Sequence, residues 1–306
     1  MLHAKAFTQQ NTNPVFKVIP LGIYGGSHEG NLSSYMLSLK DSNNYICFDA
    51  GTLHDGIAKA VEENALAGEP AAILKNNVKG YLISHPHLDH IAGLIINSPD
   101  DAQKNIYATQ FCLDIIQEKY FSWKSWANFG DAGEKPVLKK YHYVSLMDTE
   151  TVLTNTNMFV KAFELSHSSP YKSTAFLVRH DASYILYLGD TGADSIEKST
   201  KLNELWNYIA PLISQQKLKG IFIEVSFPDA QPADKLFGHL TPSLLFGEMN
   251  KLFTLAGAGN LQKVPVIITH IKPVGDNEAI IKKELQQQNK LDLKFVFPQQ
   301  GRLIEL

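Results

Sequence analysis

Cysteine is scarce in this chain. Cys47 and Cys112 are the two thiols in 306 residues, too few for a disulfide framework. Each lies in an apolar segment, which predicts buried free thiols rather than a redox centre. Long hydrophobic runs are missing too, and nothing approaches the roughly 18 uninterrupted apolar residues of a membrane span. The chain also lacks a basic surplus: 28 Lys and Arg stand against 31 Asp and Glu, and no run is denser than Lys139-Lys140 or Lys282-Lys283. Proteins that grip long nucleic acids cluster such charges to release counterions, so that class is set aside; an anionic substrate would be small and held by metal. No repeat, low-complexity tract or Gly/Pro/Ser linker divides the sequence, which favours one domain.

The N-terminus is the one ambiguous stretch. Ala4-Lys5-Ala6 has the small-x-small form of an export-signal cleavage site, yet the apolar region that should precede it is missing. Residues 1–14 are read as a flexible segment, with a trimmed export signal and a chance match both open, and residues 15–306 as the domain. A soluble protein is expected either way, periplasmic or secreted in the first case and cytoplasmic in the second.

Short apolar and alternating runs predict strands at residues 15–21, 33–39, 45–49, 80–84, 158–165, 175–178, 184–188, 221–225, 266–269 and 293–297. Helical spacing appears at 55–64, 90–96, 109–120, 194–215, 241–255 and 277–288. Strands grouped in each half, with helices between and after them, indicate an α/β (α+β) chain whose two sheets pack face to face under outer helices. That is a four-layer αββα sandwich. Residues 100–146 break the rhythm and read as an aromatic-rich insertion near the site. Its Trp123 to Phe129 stretch either lines a pocket for a planar base, with Trp126 as the candidate wall, or merely packs the insertion, with a lid and a dimer contact both open.

The densest chemistry is His85-Pro86-His87-Leu88-Asp89-His90, four ligand-type side chains in six positions directly after the apolar run 80–84. Three imidazoles and a carboxylate are costly to bury together unless a cation neutralises them. Three later strands end in the same way, at His167, Asp190 and His270. Loops at strand ends of a rigid sheet can converge on one crevice, which makes these residues candidates for the same site.

This order of residues resembles the metallo-β-lactamase superfamily. The resemblance implies a first metal ion on His85, His87 and His167, a second on Asp89, His90 and His270, and Asp190 bridging both. Imidazole-rich ligation suits Zn²⁺ best, with Mn²⁺ or Fe²⁺ as alternatives. The run from His85 to Pro99 is similar to the signature of class II cyclic nucleotide phosphodiesterases, as are Gly25 to Tyr35, Trp123 to Phe129 and Gly238 to Pro242. That closer resemblance implies hydrolysis of 3′,5′-cyclic nucleotides to 5′-nucleotides by a hydroxide bridging two divalent ions, with cAMP as substrate and cGMP left open.

A 3′-alkoxide leaves poorly without a proton donor, and His239 is the candidate. Glu224 to Phe227 followed by Gly238 to Thr241 also resembles tRNase Z enzymes, which implies that Glu224 fixes the tautomer of His239. The plainer alternative is that His239 merely precedes a helix capped by Thr241, with Pro242 in its first turn. Asp89 is carried as catalytic as well as a ligand. Asn31, Ser33, Trp126 and Thr241 are candidate substrate contacts, and Asp49 is read as a buried carboxylate that orients a metal-binding His. Rival readings are a tRNase Z-like nuclease, another hydrolase of the fold, or a non-enzymatic sensor of cyclic nucleotides. No basic arm for tRNA is evident, and seven ligands with a candidate acid argue against a mere sensor. The expected partner is a small cyclic nucleotide, with no membrane and a homodimer left open.

Overall fold

Most strands of this chain are buried on both faces, so they read as apolar runs rather than clean alternations. In the computed structural model, which describes residues 14–257 and 259–306, the Ala4-Lys5-Ala6 match lies outside the described residues. Strands β1 (Phe16–Gly22), β2 (Ser34–Leu39) and β3 (Tyr45–Phe48) form an antiparallel meander. Strands β4 (Val78–Leu82), β5 (Lys104–Ala108) and β6 (Tyr141–Ser145) then continue the sheet parallel to β3. Their crossovers are α1 (His54–Glu62) with α2 (Pro70–Asn76), then α3 (Leu88–Asn97), then α4 (Gln110–Ile115).

The second half repeats the plan. Strands β7 (Thr151–Leu153), β8 (Met158–Ser166), β9 (Lys172–His180) and β10 (Ser183–Leu188) are antiparallel neighbours. They are followed by parallel β11 (Leu218–Glu224), β12 (Pro265–Thr269) and β13 (Lys294–Val296). Helices α5 (Asp194–Glu197) and α6 (Lys201–Ser214), α7 (Pro242–Ala256) and α8 (Asn277–Gln288) make these crossovers. The last strand, β14 (Ile304–Glu305), returns to pair with β1 and completes the first seven-stranded sheet.

Three apolar layers hold the four structural ones together. Phe48, Phe176, Tyr187 and Phe222 lie between the sheets, with Phe48 and Tyr187 stacked at 4.6 Å. Ile57, Leu94 and Leu113 seat helices on the first sheet, and Trp206, Leu245 and Ile281 seat them on the second. Each such side chain contributes about 1.5–3 kcal/mol by leaving water. Cys47 and Cys112 are buried free thiols within the layer between the first sheet and its helices. No helix among the described residues is long and apolar enough to cross a membrane.

Two departures from the expected elements have local causes. The helix read over 194–215 is broken by Lys198, whose φ of 52° is left-handed, and the Asp194 carboxylate then accepts the Leu202 and Asn203 amides at the start of α6. The segment 100–146 is less of an insertion than its rhythm implied, because β5 and β6 at its ends are regular members of the first sheet. The irregular part is residues 121–140, tied by Asn128 to the Ala132 and Glu134 carbonyls. What the topology does for the site is simple: β3, β4, β8, β10, β11 and β12 all end at one edge of the sandwich.

Candidate metal centre

Strand β4 delivers its last residues to that edge through Ile83, whose amide still pairs with the Tyr107 carbonyl at 3.0 Å. His85 follows, and His87 stands at the cap of α3, so Asp89 and His90 occupy the helix's first turn. His167 follows β8, Asp190 follows β10 and His270 follows β12. His270 holds a left-handed φ of 57°, a conformation that costs a non-glycine residue about 1 kcal/mol or more. Its ring fills the space above Gly25, where an added Cβ would meet the imidazole at 2.1 Å. Only glycine fits there.

The side chains converge. His85, His87, His167 and Asp190 form one group whose ligand atoms lie within 4.8 Å of one another, Asp89, His90 and His270 form a second, and Asp190, His239 and His270 a third. Asp190 joins them: its Oδ2 lies 3.6 Å from His85 Nε2, 3.3 Å from His90 Nε2, 3.9 Å from His167 Nε2 and 3.2 Å from His270 Nε2. Asp89 Oδ2 accepts from the Gly26 amide at 2.8 Å and faces His270 Nε2 at 3.2 Å.

The electrostatics of the cluster suit a cation. Burial drives the His85 imidazole well below its ordinary pKa, and burial with the His167 charge pulls His87 down to about 4. Both therefore keep a free lone pair. Burial would raise Asp190, but the imidazoles of His270 and His90 outweigh it and hold the carboxyl well below its usual range. At His90 burial opposes charge, yet Asp190, Asp49 and Asp89 outweigh it and raise the pKa well above the ordinary value. Asp49 meets the ring at Nδ1, whereas Asp190 and Asp89 call for positive charge where His90 Nε2 points. That nitrogen is buried and has no hydrogen-bond partner among the described residues. An orphaned imidazole nitrogen beside ionised carboxylates and neutral imidazoles is the donor set that a divalent ion binds, so the residues fit the metal that the sequence implied.

Asp49 anchors this edge from below. Its Oδ1 accepts the Ser84 amide at 2.7 Å, while Oδ2 accepts Ser84 Oγ at 2.8 Å, His90 Nδ1 at 2.8 Å and Tyr187 Oη at 2.7 Å. Removing this fully buried acceptor strands four donors. Asp49→Ala is therefore expected to lower the unfolding free energy by about 3 kcal/mol, read from the midpoint of a urea transition. An unchanged midpoint would contradict the role.

Glu224, at the end of β11, makes a second buried network. Its Oε1 accepts from His239 Nδ1 at 2.8 Å and from the Thr191 amide at 2.9 Å, and Ser226 Oγ donates to Oε2. Burial lowers the His239 pKa, but the Glu224 charge and hydrogen bond outweigh it and raise it above the ordinary value. Among the described residues, His239 Nε2 makes no hydrogen bond.

The four candidate substrate contacts fare differently. Asn31 builds its loop, with Oδ1 accepting the Ile23 amide at 3.0 Å. Ser33 is fully buried beside Tyr187, and Thr241 is buried with its hydroxyl capping α7 at the Leu244 amide. Trp126 is not brought to the cluster at all. Its indole donates to Ser98 Oγ at 3.0 Å, at the far end of α3, whose ten residues span about 15 Å. Residues not foreseen from the sequence include Ser84 and Ser226, which hold His85 and His270 at Nδ1, and Gly238, whose carbonyl holds His167 Nδ1 at 2.9 Å. Their only sequence signal is proximity to a candidate site residue: Ser84 precedes His85, Gly238 precedes His239, and Ser226 lies two residues after Glu224.

Comparison with known proteins gives this geometry a context. Residues 63–301 match the family model described as cAMP phosphodiesterases class-II. A 3′,5′-cyclic-nucleotide phosphodiesterase of Aliivibrio fischeri is 38% identical over 301 residues, covering 94% of this chain and 91% of that protein. The crystal structure of unliganded yeast PDE1 superposes with a TM-score of 0.83 at 24% identity, covering 96% of this chain and 100% of that one. The metallo-beta-lactamase fold protein YhfI from Bacillus subtilis superposes with a TM-score of 0.61 at 17% identity, covering 95% and 98%.

Proposed function

The chain belongs to the class-II cAMP phosphodiesterase family and is a 3′,5′-cyclic-nucleotide phosphodiesterase; from that premise we propose that it works through two divalent ions, of which Zn²⁺ best suits the donors. The observation that carries this reading is Asp190 Oδ2 standing 3.2–3.9 Å from the Nε2 atoms of four imidazoles that come from three separate strand ends. His85, His87 and His167 hold one ion, Asp89, His90 and His270 the other, and Asp190 lies between them. When bound, such ions supply Lewis acidity to the phosphate and activate water near neutral pH.

The protein's own groups do the rest. The Gly26 amide fixes the Asp89 carboxylate, and the Nδ1 anchors at Ser84, Asp49, Gly238 and Ser226 keep Nε2 of His85, His90, His167 and His270 directed into the cluster. Glu224 holds the proton of His239 at Nδ1 in the neutral tautomer and favours the imidazolium, so Nε2 can donate a proton to the leaving 3′-oxygen. We take cAMP as the substrate with cGMP as a second one, and residues 15–306 as one domain, a reading supported by the apolar layer that both sheets share.

Removing the metal tests this directly. Prolonged dialysis against a strong chelator is expected to reduce cAMP hydrolysis at least about 10³-fold, and addition of Zn²⁺ or Mn²⁺ to restore it, with about two equivalents bound by elemental analysis. Full turnover by metal-free protein would sink the reading. Running cGMP, 2′,3′-cyclic nucleotides and a precursor tRNA beside cAMP separates the substrate classes.

A further inference from the structure

Four of the five imidazoles in the proposed ligand set are oriented by a hydrogen bond at Nδ1: His85 by Ser84 Oγ at 3.0 Å, His90 by Asp49 at 2.8 Å, His167 by the Gly238 carbonyl at 2.9 Å and His270 by Ser226 Oγ at 3.0 Å. His87 departs from this rule. One side of it reaches solvent while the other is desolvated in the cluster, and its one side-chain hydrogen bond among the described residues is Nδ1 against His85 Nε2 at 3.0 Å, inside the cluster itself. No carboxylate, hydroxyl or carbonyl among those residues sets the tilt of the ring.

An aromatic plate does so instead. The Tyr171 ring lies parallel to His87, centroids 4.6 Å apart and planes within 9°. Tyr171 is itself held, with Phe111 edge-on at 5.6 Å and 80°. Backbone bonds place it in the same turn as His167: the Tyr171 amide donates to the Ser168 carbonyl at 3.2 Å and the His167 amide to the Tyr171 carbonyl at 3.4 Å. One turn therefore carries a ligand and the surface against which a second ligand rests. A parallel stack lets an imidazole slide but not tip, and tipping is what would turn Nδ1 away from the cluster. At an exposed position this constraint has an advantage, because water competes for a hydrogen bond at the ring edge but does not replace a stacked face.

We propose that Tyr171 is the positioning residue of His87, replacing by stacking the hydrogen bond that orients each of the other four imidazoles. The proposal rests on the reading of the cluster as a two-metal centre. It concerns the aromatic plane and not the hydroxyl, so the conservative variant must rescue.

The test measures metal binding rather than turnover, by competition with a chromophoric Zn²⁺ chelator on wild type, Tyr171→Phe, Tyr171→Leu and Tyr171→Ala. Wild type and Tyr171→Phe are expected to hold two ions equally tightly. Tyr171→Leu and Tyr171→Ala are expected to hold one ion as before and the other about 10-fold more weakly, with the visible spectrum of the Co²⁺ forms altered to match. Tyr171→Leu keeps apolar bulk, so a far-UV circular dichroism spectrum unchanged in that variant separates loss of the plate from loss of the fold. Two equally tight sites in Tyr171→Leu and Tyr171→Ala would overturn the proposal, as would a loss in Tyr171→Phe equal to that in Tyr171→Ala. Wild type that binds no Zn²⁺ yet hydrolyses cAMP would overturn the two-metal reading, and this inference with it, and the wild-type arm alone reveals that case.

Discussion

Asp190→Asn should abolish hydrolysis, with kcat for cAMP falling at least about 10⁴-fold, which corresponds to about 5.5 kcal/mol of lost transition-state stabilisation. The loss is electrostatic in origin. Asp190 is buried, and its Oδ2 lies within 3.9 Å of the Nε2 atoms of all four of His85, His90, His167 and His270. Asparagine keeps the volume and one acceptor oxygen but removes the negative charge around which the four imidazoles are gathered. Loss of the shared carboxylate touches both proposed ions, whereas loss of His87 or Asp89 touches one. Metal content should therefore fall below two equivalents together with kcat, while the far-UV circular dichroism spectrum stays that of the wild type. A variant with two ions and kcat within tenfold of wild type would exclude a shared role for this residue.

The convergence of ligand-type side chains was legible in the sequence because ligand chemistry is dense there. Four side chains in six positions have few structural reasons to coexist, and a strand followed by His or Asp recurs at 167, 190 and 270. Asp49 was legible for a weaker reason, as a carboxylate at a strand end with no ligand role left to fill. The groups that orient the ligands were not legible. Ser226 and the Gly238 carbonyl act on imidazoles 44 and 71 residues away that only the fold brings within 3.0 Å, and Ser84, although next to His85, is a residue type that carries no ligand signal of its own. Trp126 shows the opposite failure: an aromatic run signals burial or a pocket equally well, and only the length of α3 shows that its indole sits at the far end of that helix. In the fold, β5 and β6 were hidden because Lys104, Asn105 and His142 interrupt their apolar pattern. Their register against β4 and one another supplies the order that composition does not.

His239→Ala should lower kcat about 10²-fold or more while leaving metal content at two equivalents, the loss typical of a missing general acid. The structure makes this a sharp test, because His239 also belongs to a group of ligand-type atoms with Asp190 and His270. Its Nδ1 lies 3.8 Å from Asp190 Oδ2 but 2.8 Å from Glu224 Oε1. The carboxylate that it meets at hydrogen-bond distance is Glu224, so Nδ1 gives its proton there and the role of His239 rests on Nε2. If that assignment holds, Glu224→Gln should reproduce part of the His239→Ala loss, since an amide neither favours the imidazolium nor enforces the Nδ1 tautomer. The double variant should then be little worse than His239→Ala alone, because the carboxylate acts through the imidazole. A ligand role predicts otherwise: His239→Ala would shed metal, and added Zn²⁺ would recover part of its activity. A substrate whose leaving group needs no proton, such as a p-nitrophenyl phosphodiester, separates the two cases. His239→Ala should hydrolyse it nearly as fast as wild type if the residue is an acid, and as poorly as it hydrolyses cAMP if the residue holds metal.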